Sequence, residues 1–186
     1  NLFDLPDERK VHERPIPRLG GVSFFPVIVF CMFTACLFLL RCPYFEGFFS
    51  SNIVPEMLAL VAGLTLLYVV GIGDDLVGVR YSRKFLVQIV SALLIPAAGL
   101  YINNFYGLFG IGEIPSYLGV PFTVLLVVFV TNAINLIDGI DGLASGLSSV
   151  ALVMFGITFA IEGLWMYSLL AFICVGVLIP FFCYNV

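Results

Sequence analysis

The sequence predicts an all-α, polytopic transmembrane helix bundle of about six spans. Three observations predict it. Hydrophobic residues make up 61% of the 186, and charged residues only 11%, where a soluble domain carries about a quarter. Mean hydropathy is +1.13. Six apolar runs approach the ~20 residues that cross a bilayer. These figures exclude a soluble globular domain, a disordered chain and a disulfide scaffold. The formal charge of −4 argues against nucleic acid as a partner.

Residues 1–186 read as one membrane domain opened by a basic arm at 1–21. The spans fall at about 22–40, 54–72, 85–102, 117–137, 143–161 and 165–183. Turn-forming residues separate them: Arg41-Cys42-Pro43, Gly73-Asp74-Asp75, Asn103-Asn104, Gly139 with Gly142, and Glu162-Gly163. Pro26, Pro96, Pro121 and Pro180 fall inside or near helix ends, where a membrane helix tolerates them. The chain starts at Asn1, and its first apolar run is too long for a signal-peptide core. It therefore reads as a fragment, or as lacking its native start. Of the five cysteines, Cys31, Cys36, Cys174 and Cys183 lie in apolar runs and behave as small hydrophobes. With Cys42 they form no Cys-x-x-Cys pair, and His12 is the single histidine, so a zinc site has almost no ligands to draw on.

Lys and Arg set the orientation. Arg9, Lys10, Arg14 and Arg18 precede the first span, Arg41 follows it, and Arg80, Arg83 and Lys84 follow the second. An amino terminus inside places seven of these eight on the cytoplasmic side. Segments 1–21, 73–84 and 138–142 then share that side with the carboxyl end, and 41–53, 103–116 and 162–164 face outward.

That topology gathers Asp74, Asp75, Asp138 and Asp141 at the cytoplasmic ends of apolar helices. An ionised Asp at mid-membrane costs about 2.5–3.5 kcal/mol on insertion scales. Placement at the interface lowers the cost but leaves the mutual repulsion. Such a cluster suits a cation site, or an acid–base site facing neutralised phosphates; ordinary turn and cap duty is the alternative. Asn132, Asn135 and Asp138 step by three along one slowly drifting helix face. An amide with carboxylates suits Mg²⁺, a hard cation shared with substrate phosphates. Hydrogen bonding between helices would equally employ an Asn. Asp74 and Asp75, about 100° apart on a helix, cannot share one role. Lys84 serves either as a surface anchor or in the site.

The arm Arg9-Lys10-Val11-His12-Glu13-Arg14-Pro15-Ile16-Pro17-Arg18-Leu19-Gly20-Gly21 is held extended by Pro15 and Pro17. Its bases fit a phosphate or diphosphate, or equally an anionic bilayer surface. His12 is open between a structural and a binding role.

Three motifs carry a resemblance over essentially the whole chain: Asp-Glu-Arg-Lys-Val-His-Glu-Arg-Pro-Ile-Pro-Arg-Leu-Gly-Gly at 7–21, Gly-Ile-Gly-Asp-Asp at 71–75, and Thr-Asn-Ala-Ile-Asn-Leu-Ile-Asp-Gly-Ile-Asp-Gly-Leu-Ala at 131–144. The last is the most specific. The chain resembles the polyprenyl-phosphate N-acetylhexosamine-1-phosphate transferases. It is closer to the undecaprenyl-phosphate N-acetylglucosamine-1-phosphate branch than to the phospho-N-acetylmuramoyl-pentapeptide branch.

The resemblance implies a Mg²⁺-dependent enzyme, with Mn²⁺ as a substitute, of a bacterial inner membrane and with its site on the cytoplasmic face. Its partners would be a UDP-N-acetylhexosamine and a polyprenyl phosphate lipid, its by-product UMP, and its use cell-envelope glycan synthesis such as lipopolysaccharide or teichoic acid. Asp74 and Asp75 would activate or position the lipid phosphate, with Asp138 counted beside them as catalytic. Asn135 would hold metal. Lys10 and Lys84 would hold phosphates, Asp138 and Asp141 would line the nucleotide-sugar side, and His12 and Asn132 join the substrate-binding candidates. The family continues past the equivalent of Tyr184-Asn185-Val186 into a Gly-Asp motif with a metal ligand, further spans and a histidine-containing loop. Six spans are about half of that bundle, so this stretch alone is expected to be inactive.

Two other classes compete. A transporter would place acids at the bilayer midplane and show repeat symmetry, and this sequence does neither. A membrane scaffold would tolerate Asp74→Asn and Asp138→Asn without consequence.

Overall fold

The computed structural model describes residues 3–4, 16–17, 20–39, 41 and 53–185. Apolar sequence winds into six helices: α1 Phe24–Leu39, α2 Ile53–Val77, α3 Tyr81–Ala97, α4 Ser116–Ile137, α5 Leu143–Ile161 and α6 Trp165–Asn185. A 3₁₀ turn, Gly20–Ser23, leads into α1. In the arm, strand β1 (Phe3–Asp4) pairs antiparallel with β2 (Ile16–Pro17), setting Phe3 opposite Pro17. Lys10 and His12 lie outside the described residues.

All but one of these helices are long and apolar enough to cross a membrane. The exception is α3, at 17 residues, where the sequence predicts a span at 85–102. It begins four residues early because Lys84 has a carboxylate partner, Asp74, and so needs no aqueous loop. It ends early at Pro96 and Gly99. The Ala98 and Gly99 N–H groups close on the carbonyls of Leu94, Ile95 and Pro96, with Gly99 at φ +94. The α2 boundary shifts too. The helix runs on to Val77 and takes Asp74 and Asp75 into its last turn, leaving only 78–80 as connection.

Neighbouring helices pack antiparallel in chain order, and α6 returns to α1. Small residues set the closest approaches. At Gly156 an added Cβ would lie 3.0 Å from the Phe172 ring, and Ser168 Oγ donates to the Gly156 carbonyl at 2.8 Å. At Gly63 a Cβ would lie 3.2 Å from the Ser91 carbonyl oxygen, joining α2 to α3. Phe24 meets Phe181 edge to face at 5.1 Å, closing α1 on α6. Phe25 packs on Tyr68 at 4.9 Å, and the Tyr68 hydroxyl donates to the Val22 carbonyl at 3.1 Å. At the other end Tyr167 donates to Glu56, tying α6 to α2. Large apolar side chains such as Phe30, Leu125 and Phe129 stand exposed on the outside. Water would penalise that surface and lipid would not.

Gly119 tests how tightly this frame is set. Its added Cβ would fall 2.4 Å from the Ile102 carbonyl oxygen, where Thr123 Oγ1 already accepts the Ile102 N–H at 2.9 Å. Gly119→Ala should therefore destabilise the protein by about 1–3 kcal/mol through overpacking. The readout is a lower thermal midpoint in detergent. An unchanged midpoint would mean that the chain entering α4 shifts freely.

Candidate functional site

The antiparallel order brings the start of α1, the end of α2, the start of α3, the end of α4, the start of α5 and the end of α6 to one end of the bundle. Two polar groupings form there. In the first, Asp74 bridges the α2–α3 turn: Oδ1 accepts the Val79 N–H at 2.9 Å, and Oδ2 accepts from the Lys84 ammonium. Both side chains are about a third exposed, so the pair stands at the edge of the bundle, within reach of an incoming anion. Asp75 shares the same helical turn.

The second grouping is an open cleft of about 330 Å³ among α1, α4, α5 and α6. Asn135, Asp138, Thr131, Ser145 and Ser148 give it a polar wall, with Phe24 and Phe181 opposite. The step of three at 132, 135 and 138 divides in space. Thr131, Asn135 and Asp138, spaced i, i+4, i+7, share the face that lines the cleft. Asn132 turns instead toward α3, where its amide donates to Gln88 Oε1 and to the Val128 carbonyl, each at 2.8 Å. The Asn132 side chain is thus engaged between helices. Asp138 caps α4, and Asp141 lies exposed in the following turn, outside the residues lining the cleft. Gly142, at φ +70, turns the chain into α5.

Gln88 went unread in the sequence. It lies one helical turn after Lys84, so Asp74, Lys84, Gln88 and Asn132 form a polar line from the α2–α3 turn to α4. The signal was an amide four residues from a lysine inside an apolar run. Ser145 and Ser148 were also passed over, because serine in a membrane helix ordinarily bonds back to its own carbonyls. Ser145 does so, donating to the Gly142 carbonyl at 3.2 Å.

As to metal, no group of three His, Cys, Asp or Glu side chains converges among the described residues. The cleft does set a neutral amide oxygen, Asn135, beside a carboxylate, Asp138. Two hard oxygen donors are a partial set that suits Mg²⁺, an ion that keeps waters and shares phosphate oxygens.

Residues 57–186 match the model of glycosyl transferase family 4. The chain is 33% identical over 185 residues to a Bacillus subtilis protein named "Probable undecaprenyl-phosphate N-acetylglucosaminyl 1-phosphate transferase", covering 98% of this chain and 47% of that protein. It is 31% identical to the Yersinia pestis undecaprenyl-phosphate alpha-N-acetylglucosaminyl 1-phosphate transferase, over 99% of this chain and 47% of that one. Against the Staphylococcus carnosus phospho-N-acetylmuramoyl-pentapeptide-transferase, identity is 29%, over 91% of this chain and 54% of the relative. The chain spans about half the length of the curated relatives it matches.

Proposed function

Since the chain belongs to glycosyl transferase family 4, we propose that its protein moves an N-acetylhexosamine 1-phosphate, N-acetylglucosamine 1-phosphate first, from a UDP-sugar to a polyprenyl phosphate, releasing UMP. The observation that carries this reading is a pair of polar groupings at one end of an otherwise apolar, multi-pass bundle. A lipid phosphate arrives from the bilayer and a nucleotide sugar from water, and such an end is where they can meet. The relatives' names supply the lipid phosphate and the N-acetylglucosamine 1-phosphate group.

In the reaction an oxygen of the lipid phosphate attacks the sugar-bearing phosphorus of the UDP-sugar. A new P–O–P linkage forms, the old one breaks, and UMP leaves with the bonding electrons. The attacking monoester has a second pKa of about 6, so it is largely dianionic near neutrality and no base is required. Asp74 and Asp75 then act by positioning. Asp74 holds Lys84 in place, and the ammonium offsets phosphate charge as the nucleophile approaches. Asn135 and Asp138 would hold Mg²⁺, which when bound neutralises diphosphate oxygens. The start of α5 turns backbone N–H groups toward the same end of the bundle, a favourable field for an anion.

The test is the full-length protein in detergent with radiolabelled UDP-N-acetylglucosamine, polyprenyl phosphate and Mg²⁺. Release of UMP is expected. No release with any UDP-N-acetylhexosamine would overturn the reading. Turnover only with UDP-N-acetylmuramoyl-pentapeptide would move the protein to the branch of the Staphylococcus carnosus relative. The cytoplasmic assignment of this face rests on seven of eight Lys and Arg. Ser82, in the first turn of α3, and Asn103, beyond its last residue, stand at opposite ends of the bundle. Cysteines placed there should label from opposite sides, Ser82→Cys from the cytoplasm. Cytoplasmic labelling of Asn103→Cys would invert the topology.

A further inference from the structure

We infer that the hairpin over 103–114 is a bilayer-interface anchor, its Tyr106 and Phe109 side chains seated among lipid headgroups on the membrane face opposite the candidate site. Both are almost wholly exposed, at 90% and 89%. Both also hold positive φ, 52 and 54, a region bulky side chains rarely adopt. An aqueous loop would gain nothing from displaying aromatic rings in that way.

The backbone around them is already satisfied from within. Phe105 N–H donates to the Gly112 carbonyl, Gly107 N–H to Ile111, and Ile114 N–H to Asn103. Asn104 Oδ1 accepts the Tyr106 N–H at 2.6 Å. The Phe105 ring packs against Phe122 at 5.6 Å and fixes the hairpin to α4. A segment with its polar groups so engaged can lie where water is scarce.

Depth and charge name lipid as the occupant. From the close contact of Gly63 with Ser91, α2 continues to Ile53 but α3 only to Ala97. The shorter helix stops about one turn, ~6 Å, below the end of its neighbour. The hairpin therefore starts within the depth that α2 still crosses. Across 101–118 the single charged residue is Glu113, which bridges Asn104 through the backbone. The exposed Tyr117, Leu118 and Phe122 of α4 continue the apolar surface from the hairpin to the lipid-facing side of the helix. Amphipathic aromatic rings, tyrosine among them, gather at that level of a membrane.

The experiment uses the full-length protein in phosphatidylcholine–phosphatidylglycerol vesicles. Phe109→Trp, and separately Tyr106→Trp, place a probe whose emission is the difference from the parent protein. Both substitutions keep an aromatic ring, and either probe reports if the other variant fails to fold. Lipids brominated near the headgroup should quench that emission about twofold, with aqueous iodide nearly without effect. Quenching by iodide alone would show a solvent loop and overturn the inference. Quenching by neither would show the rings covered by protein, a second copy or another part of the chain, and would overturn it too.

Discussion

Asp74→Asn in the full-length protein is expected to lower turnover by about 10²-fold while leaving the bundle folded. The asymmetry follows from the two bonds that the carboxylate makes. An Asn side chain keeps an oxygen for the Val79 N–H, so the α2–α3 turn retains its tie. Its other terminus is an NH₂ group, which cannot accept from the Lys84 ammonium. Lys84 is then released from its position, and the site loses a negative charge that lets the lysine sit at a helix start. A thermal midpoint within a few degrees of the parent should accompany the lost turnover. The partner variant Lys84→Met distinguishes positioning from direct contact. If Asp74 acts through Lys84, the double variant should be hardly slower than Lys84→Met alone; independent contacts with phosphate would make the losses multiply. Asp74→Asn retaining more than a tenth of parental turnover would remove Asp74 from the proposed mechanism.

That prediction depends on a contact the sequence could not supply. The apolar runs made the helices readable, because in lipid an unbroken stretch of apolar residues has essentially one satisfied backbone form. Their ends were less readable. Reading α2 as ending near residue 72 left Asp74 in a loop, with Lys84 undecided between anchor and site. The helix in fact continues to Val77 and the turn is only 78–80, which sets Lys84 against Asp74. The 132, 135 and 138 spacing located a polar face but not what it faces. A step of three drifts about 60° around a 3.6-residue helix, enough to send Asn132 to Gln88 on α3 while Asn135 faces the cleft. The resemblance supplied the chemistry for these positions; composition alone would have stopped at a membrane protein with clustered acids.

Asn135→Ala is expected to raise the Mg²⁺ concentration for half-maximal turnover by about tenfold or more, with a smaller change in turnover at saturating Mg²⁺. Asp138→Asn, which takes the charge from the same shell, should weaken the Mg²⁺ response too and in addition cut turnover by about 10²-fold or more at saturating Mg²⁺. The roles separate on chemical grounds. Both residues line one cleft, but the Asn135 amide offers a neutral hard oxygen and adds no charge to a wall that already carries Asp138. Asp138, at the end of α4 and exposed, is the group placed to feel a change of charge on an entering phosphate. Asn135→Asp keeps an oxygen at the same reach and should recover part of the Mg²⁺ response, at the cost of repulsion from Asp138. Two protein oxygens cannot by themselves strip water from Mg²⁺, which dehydrates reluctantly. Residues 1–186 alone should therefore bind it too weakly to measure at millimolar metal. Tight binding by that stretch, abolished by Asn135→Ala, would mean that the shell is built from residues other than those proposed. A shift in Mg²⁺ response confined to Asp138→Asn would exchange the two assignments.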